Sequence, residues 1–255
     1  MPTADDTSLP AAEVAKASII VEDVSKEFRI RRTHSFKETF VEWLKGRDVR
    51  PSHFRALDNV SFTVNEGESV ALLGFNGSGK STMLKLMSGV LEPDTGQVLI
   101  RGRLAGLIEV GAGFHPDMSG RENVYLNAAI LGMQKDEIDA RFDDIVAFSE
   151  IEEFIDQEVK HYSSGMFMRL AFAVAIHTEL DVLLIDEILS VGDGPFQEKC
   201  QAKIKELSAA GKTMVIVSHD QDLVRELTQR GIVIRQGKKV FDGPTEQAID
   251  AMLAG

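Results

Sequence analysis

Cysteine occurs once in the 255 residues, at Cys200, so the chain can form no intrachain disulfide and no cysteine-rich metal cluster. This usage fits a reducing compartment, with Cys200 expected to be an inert, half-buried helix residue. Positive charge is also scarce: 28 Lys and Arg face 40 Asp and Glu, a net charge of −12. Such a balance leaves no broad counterion-releasing surface and argues against a general nucleic-acid or anionic-membrane binder. Long apolar runs are missing too. The longest of note, "LAFAVAI", falls far short of the ~18 residues that a membrane span needs, so any membrane pathway is expected to belong to another chain. The N-terminal "MPTADDTSLPAAEVAKAS" holds early aspartates, two prolines and no apolar segment. It is neither a secretory signal nor an anchor, and 1–17 reads as a flexible leader. There is no internal repeat and no low-complexity block.

The remaining 18–255 is expected to be one α/β domain built on a parallel core sheet. "SIIVEDVSKEF" and "ALDNVSFTV" are β-rich, the second alternating apolar and polar, and predict a small antiparallel sheet. "ESVALLG", "VLLID", "TMVIVSH" and "GIVIR" are short continuous apolar runs separated by helical patterns such as Phe196 to Ala209 and Gln221 to Gln229. That alternation implies parallel strands covered by helices on both faces. A helix-rich region, about 119–178, separates the first two of these strands. "GKKVFDGPTEQAIDAML" predicts a hairpin and a closing helix with Pro244 at its first position.

"GFNGSGKST" matches G-x-x-x-x-G-K-[ST] between an apolar strand and a helical pattern. Gly74, Gly77 and Gly79 allow the tight turn that points successive N–H groups and a helix N-terminus at one anion. Lys80 can then reach the β- and γ-phosphates, and the Ser81 hydroxyl can ligate Mg²⁺. With Asn76, Ser78 and Thr82, these residues form the candidate site for a nucleoside triphosphate with magnesium. "VLLIDE" brings Asp186 and Glu187 to the C-terminal end of a buried parallel strand, the edge where such sheets bind ligands. Asp186 is the candidate metal residue, and Glu187 the residue that orients or deprotonates water. "IVSHD" ends another core strand with His219, a candidate donor to the γ-phosphate.

In "YSSGMFMRLAFAVAI", two serines and a glycine precede a helix that is apolar nearly all round and therefore buried. Ser163 is a good N-cap. With Gly165 it can also form a second helix N-terminus that a phosphate approaches closely.

At these residues the chain resembles the ABC ATPases. Tyr162 to Met166 is similar to the LSGGQ signature, with Ser163 and Gly165 at its serine and second glycine and Met166 in place of glutamine. Arg169 resembles the arginine that follows the signature, Asp193 of "SVGD" the D-loop aspartate, and His219 the switch histidine. A narrower resemblance lies in "GAGFHPDMSGREN", "YSSGM", "RLAFAVA", "DEILSVGD" and "FQEKC". These are similar to the ATP-binding subunits of exporters that move lipid-pyrophosphate-linked O-antigen, teichoic acid or galactan chains across a bacterial inner membrane. The resemblance implies ATP hydrolysis, a homodimer, separate membrane-spanning subunits and a peripheral place on the cytoplasmic face of that membrane. It also makes Phe28 the adenine-stacking residue, where many ABC proteins have tyrosine. The Q-loop glutamine is missing, with Glu109 and Val110 nearest. The carbohydrate-binding C-terminal domain of some exporter ATPases is expected to be absent.

"SFKETFVEWLKG" sets Phe36, Phe40, Trp43 and Leu44 on one helical face, with a Ser35–Glu38 capping box and Gly46 as a stop. Between Arg29 and Arg50 stand seven basic and three acidic residues. A basic amphipathic helix over 31–50 suits a membrane surface or a lipid pyrophosphate, or else docks on its own domain. The alternative class for the whole chain is a soluble ABC ATPase of DNA repair or translation. Such proteins carry coiled coils, zinc modules or tandem ATPase domains, which this sequence does not display.

Overall fold

Strand β3 (Ser69–Leu73) is buried along nearly its whole length, because both of its faces carry apolar side chains. Leu72 points into one core with Leu57, Met83, Leu84 and Leu184, while Ala71 and Leu73 point into another with Val224, Val233 and Ile249. A strand covered on both faces reads as a continuous apolar run, which is what "VALL" is. The same holds for β6 (Val182–Asp186), β7 (Thr213–Val217) and β8 (Arg230–Arg235). The computed structural model of the protein describes residues 16–30, 52–107, 111–186 and 193–254. The expected basic helix, Glu109, Val110, Glu187 and nearly all of the leader lie outside them.

Two sheets make the frame. β1 (Ala17–Ile30) pairs antiparallel with β2 (Ser52–Asn65) and β4 (Thr95–Ile100), in the order β2-β1-β4. The core sheet runs β5-β6-β7-β3-β8-β9, with β5 (Leu104–Gly106) and β9 (Lys238–Pro244) at its edges. All its pairings are parallel except β8 with β9, the expected hairpin.

Helix α1 (Lys80–Met87) packs between the sheets through Met83, Leu84, Leu86 and Met87. Between β5 and β6 come α2 (Gly120–Ile130), α3 (Lys135–Ser149) and α4 (Ser164–His177). α2 starts with the Ser119–Glu122 capping box. The apolar girth of α4 has a physical reason: it stands between two cores. Phe172 and Ile176 pack toward the core sheet with Leu183 and Ile185, whereas Leu170, Ala173 and Val174 pack against Val124, Phe142 and Ile145 of α2 and α3. The Leu, Ile, Val and Phe side chains among them each contribute about 1.5–3 kcal/mol of burial.

α5 (Gly194–Ala209), α6 (Gln221–Leu227) and α7 (Thr245–Leu253) complete the cover. α6 stops two residues earlier than the pattern predicts, because Thr228 turns extended and its hydroxyl bonds back to Val224 O and across to Thr245. Pro244 is the N-cap of α7 and ends β9, not the first helical residue. Cys200 is fully buried between α5 and the core sheet, not half-buried, and burial pushes its thiol up to about 12. Among the described residues, no helix is long and apolar enough to cross a membrane.

Candidate functional site: a phosphate loop at the sheet edge

Register fixes what meets at the C-terminal edge of the core sheet. Ala71 of β3 stands opposite Ile216 of β7, and Asp186 of β6 opposite Val217. Counting forward three residues from the first pair brings Gly74 and His219 to the same height, beside the end of β6. Three sequence candidates from distant parts of the chain therefore share one edge, the place where parallel sheets bind ligands. His219 lines a cleft of about 250 Å³ with Gly74, Phe75, Asn76 and Lys80, closed on one side by Ile249 and Met252 of α7. Gly77 and Ser78 line a neighbouring cleft with Ile234, Arg235 and Met252.

The loop from Gly74 to Gly79 is shaped by its glycines. Gly74 has φ 149° and Gly79 φ 116°, values that side chains rarely adopt. Space is denied there as well. A Cβ on Gly74 would lie 2.2 Å from the Ile234 carbonyl oxygen, and one on Gly79 2.7 Å from that of Ala56. Gly79 is also the N-cap of α1, with no side-chain cap and no acidic residue in the first turn, so the positive end of the helix dipole is set at the loop. Lys80 is buried and its ammonium donates to the carbonyls of Gly74 at 2.7 Å and Phe75 at 3.2 Å. Ser78 Oγ is buried without a hydrogen-bond partner, the one such side-chain atom among the described residues. An orphaned hydroxyl is costly to hold, and it marks the loop as built for a further polar group. Ser81 is exposed and Thr82 half-exposed on the first turn of α1.

Phe28 and Phe54 stand opposite each other across β1 and β2, 37% and 48% exposed. Lys26, whose strand partner is Leu57, has its ammonium 5.9 Å from the centre of the Phe28 ring. Leu57 lies at Gly79, where a Cβ would meet its Cδ2 at 2.9 Å, so this part of β2 adjoins the start of α1. Phe54 was missed in the sequence because the expected strand begins at Ala56.

Ser163 caps α4, its Oγ accepting from Met166 N at 3.1 Å. The preceding Tyr162 anchors this turn: its hydroxyl donates to the Phe154 carbonyl at 2.8 Å, and burial pushes it up to about 12. No acidic residue stands in the first turn of α4, and Ser163 is exposed. Neither Ser163 nor Gly165 lines the clefts of this chain's own phosphate loop. Asp193 is the N-cap of α5 and is paired with Arg169, which holds its carboxyl below the usual carboxylate range.

A glycine loop after a core strand, a lysine closing it and a carboxylate at the end of β6, the next strand but one, fit the family profile described as ABC transporter, which matches residues 57–190. The chain belongs to the ABC transporter family. Among relatives, it is 49% identical over 211 residues to the O-antigen export system ATP-binding protein RfbB of Myxococcus xanthus, an alignment covering 80% of this chain and 48% of that protein. It is 45% identical over 207 residues to RfbB of Klebsiella pneumoniae, covering 81% and 82%. With the teichoic acids export ATP-binding protein TagH of Listeria monocytogenes it shares 43% over 215 residues, covering 84% and 63%. The chain thus spans about half the length of the Myxococcus relative. Among solved structures, the ATP-binding cassette MJ0796, a dimer in a post-hydrolysis state with ADP and phosphate, superposes with a TM-score of 0.69 at 24% identity, covering 89% of this chain and 98% of that one. The α/β cassette fold is therefore shared.

Proposed function

We propose that this ABC family member binds and hydrolyses ATP with Mg²⁺ as a homodimer. The cycle drives export of a lipid-pyrophosphate-linked polysaccharide through separate membrane-spanning subunits, from the cytoplasmic face of a bacterial inner membrane. The observation that carries the reading is the cradle between β3 and α1, with left-handed glycines, a helix start free of acidic residues and a lysine folded onto the loop's own carbonyls. Relatives named for O-antigen and teichoic acid export support the cargo class.

The residues divide the work by chemistry. Backbone N–H groups of the loop receive the phosphates, and Lys80 exchanges its carbonyl partners for β- and γ-oxygens. The Ser81 hydroxyl and the Asp186 carboxylate form an oxygen-only donor set suited to a hard cation such as Mg²⁺. When bound, that ion neutralises charge on the phosphate oxygens. Glu187 orients and deprotonates the attacking water, and His219 donates to the γ-phosphate. Phe28 offers its π-face to the base, with Phe54 beside it.

Ser163 and Gly165 serve a partner copy. They lie outside the clefts of their own loop, on a helix N-terminus that can receive an anion. Each chain carries one loop and one such helix start, so a two-fold dimer completes two sites at once, with Asp193 near the junction. For the membrane-spanning partner, the groove lined by Val90, Leu104, Ile130, Leu131, Ala171 and Ala175 offers an apolar seat; Val90 and Ile130 are 50% and 59% exposed.

The test is genetic and chemical together. Cells lacking the chain should accumulate lipid-linked polysaccharide inside, and wild type but not Glu187→Gln should restore its appearance outside. Restoration by Glu187→Gln, or no change in polysaccharide on deletion, would refute the proposal.

A further inference from the structure

Away from the phosphate loop, four charged side chains form a continuous chain of contacts across three helices. Glu150 ends α3 in the left-handed region, at φ 57°, where a residue with a side chain is strained. Its two oxygens serve different partners. Oε1 accepts from Lys199 Nζ at 3.0 Å, and Oε2 from an Arg169 terminal nitrogen at 2.8 Å. Arg169 uses its other terminal nitrogen for Asp193 Oδ1. The guanidinium also sits 4.7 Å from the centre of the Phe196 ring. Lys199 donates in addition to the Phe148 carbonyl at 3.0 Å.

Stability alone is a poor reason for this arrangement. The side chains of Glu150 and Asp193 are 49% and 62% exposed, and ion pairs this open contribute little to folding. Arg169 is the covered member, at 19%. A planar guanidinium can grip two carboxylates from different directions while lying flat on a ring, which an ammonium cannot do. Asp193, at the N-cap of α5, has Arg169 as its main partner, ahead of the helix's own N–H groups. Glu150 therefore holds α5 twice, through Arg169 to Asp193 and directly through Lys199, six residues or about 9 Å further along the helix. Arg169 itself lies on α4, the helix whose first turn carries Ser163 and Gly165.

We infer that Glu150 is a positioning residue for the composite nucleotide site: through Arg169 it locks the helix start at Ser163 and Gly165 to Asp193, so that both meet the partner's nucleotide as one rigid piece. This rests on the trans reading of Ser163 given above. Glu150 touches neither nucleotide nor water in this role. Its removal should leave the phosphate loop's affinity intact and lower turnover.

The experiment measures MgATP turnover, affinity for a fluorescent ATP analogue, melting temperature and amide hydrogen exchange in the purified chain. Arg169→Lys should lower kcat about tenfold or more, with nucleotide affinity within about twofold and melting within about 3 °C of wild type. Glu150→Gln should give a smaller loss in kcat, which Glu150→Asp partly recovers. Because Glu150 acts through Arg169, the double variant Glu150→Gln/Arg169→Lys should be within about twofold of Arg169→Lys alone. Multiplying losses, an unchanged kcat, or affinity and melting that fall in step with kcat would overturn the inference. If the wild-type chain releases no phosphate, the hydrolysis reading fails, and exchange decides this one separately. Arg169→Lys must then speed exchange in both 164–169 and 194–199, and unchanged rates in either segment would refute the lock.

Discussion

Lys80 Nζ lies 2.7 Å from the Gly74 carbonyl oxygen, so the first residue of α1 reaches back across the loop that it closes. In this arrangement the buried ammonium is kept satisfied by groups that a phosphate can replace. Lys80→Met should keep the fold, since the methylene stem is preserved, and weaken ATP binding about tenfold to a hundredfold, the cost of a charge-assisted contact. Titration with a fluorescent analogue checks this. Unchanged affinity would remove Lys80 from the site.

Glu187→Gln should bind ATP normally and lose about 10²–10⁴-fold in hydrolysis, because the amide keeps the shape and loses the proton acceptor. Single-turnover phosphate release measures it. Near-normal release would take Glu187 out of catalysis.

Gly120 opens α2 against the hydroxyl end of the Tyr162 side chain. A Cβ there would lie 2.1 Å from the Tyr162 hydroxyl oxygen and 3.0 Å from the Ile155 carbonyl oxygen. Gly120→Ala must push Tyr162 off Phe154 and disturb the turn that leads into Ser163, at about 1–3 kcal/mol. Chemical denaturation should show the loss, and the double variant Gly120→Ala/Tyr162→Phe should recover part of it. A fully stable Gly120→Ala would mean that this turn is looser than described.

Acid sensitivity should centre on Arg230, which donates to Asp242 at 2.7 and 3.0 Å and to Glu68 at 3.1 Å, tying β8 and β9 to the start of β3. Burial pushes the Asp242 carboxyl up, but Arg230 and Lys239 outweigh that and hold it below the usual range. A carboxyl depressed in the folded state stabilises fully above its unfolded value, near 3.9, and the contribution is lost as pH falls through the folded value. Melting temperature should therefore drop below about pH 4, and Asp242→Asn should flatten that limb at the expense of about 1–3 kcal/mol near neutrality. An acid limb as steep in Asp242→Asn as in wild type would contradict this assignment.

What the sequence made legible follows from what the residues must do. β3, β6, β7 and β8 are covered on both faces, so their apolar runs stand out, and the phosphate loop is a local motif between a strand and a helix. β5 is three residues long and β4, "TGQVLI", is largely exposed; neither carries a pattern that local reading can detect. Phe54 escaped because β2 extends past Ala56 toward it, drawn out by pairing with Phe28. α4 is buried from Leu170 to Ile176 and not over its first turns, and local reading could not tell that this stretch separates two cores. Arg169 was visible through the signature alone, while Glu150 lies 19 residues away, and only the fold brings the two together.

Whether Ser163 and Gly165 complete a partner's site is decided by subunit mixing. Lys80→Ala and Ser163→Arg should each be inactive as homodimers. Mixed under exchanging conditions, a trans arrangement yields dimers with one doubly damaged site and one intact site, so ATP-dependent closure and part of the turnover should return. If mixed dimers form and neither closure nor turnover reappears, the shared site is wrong.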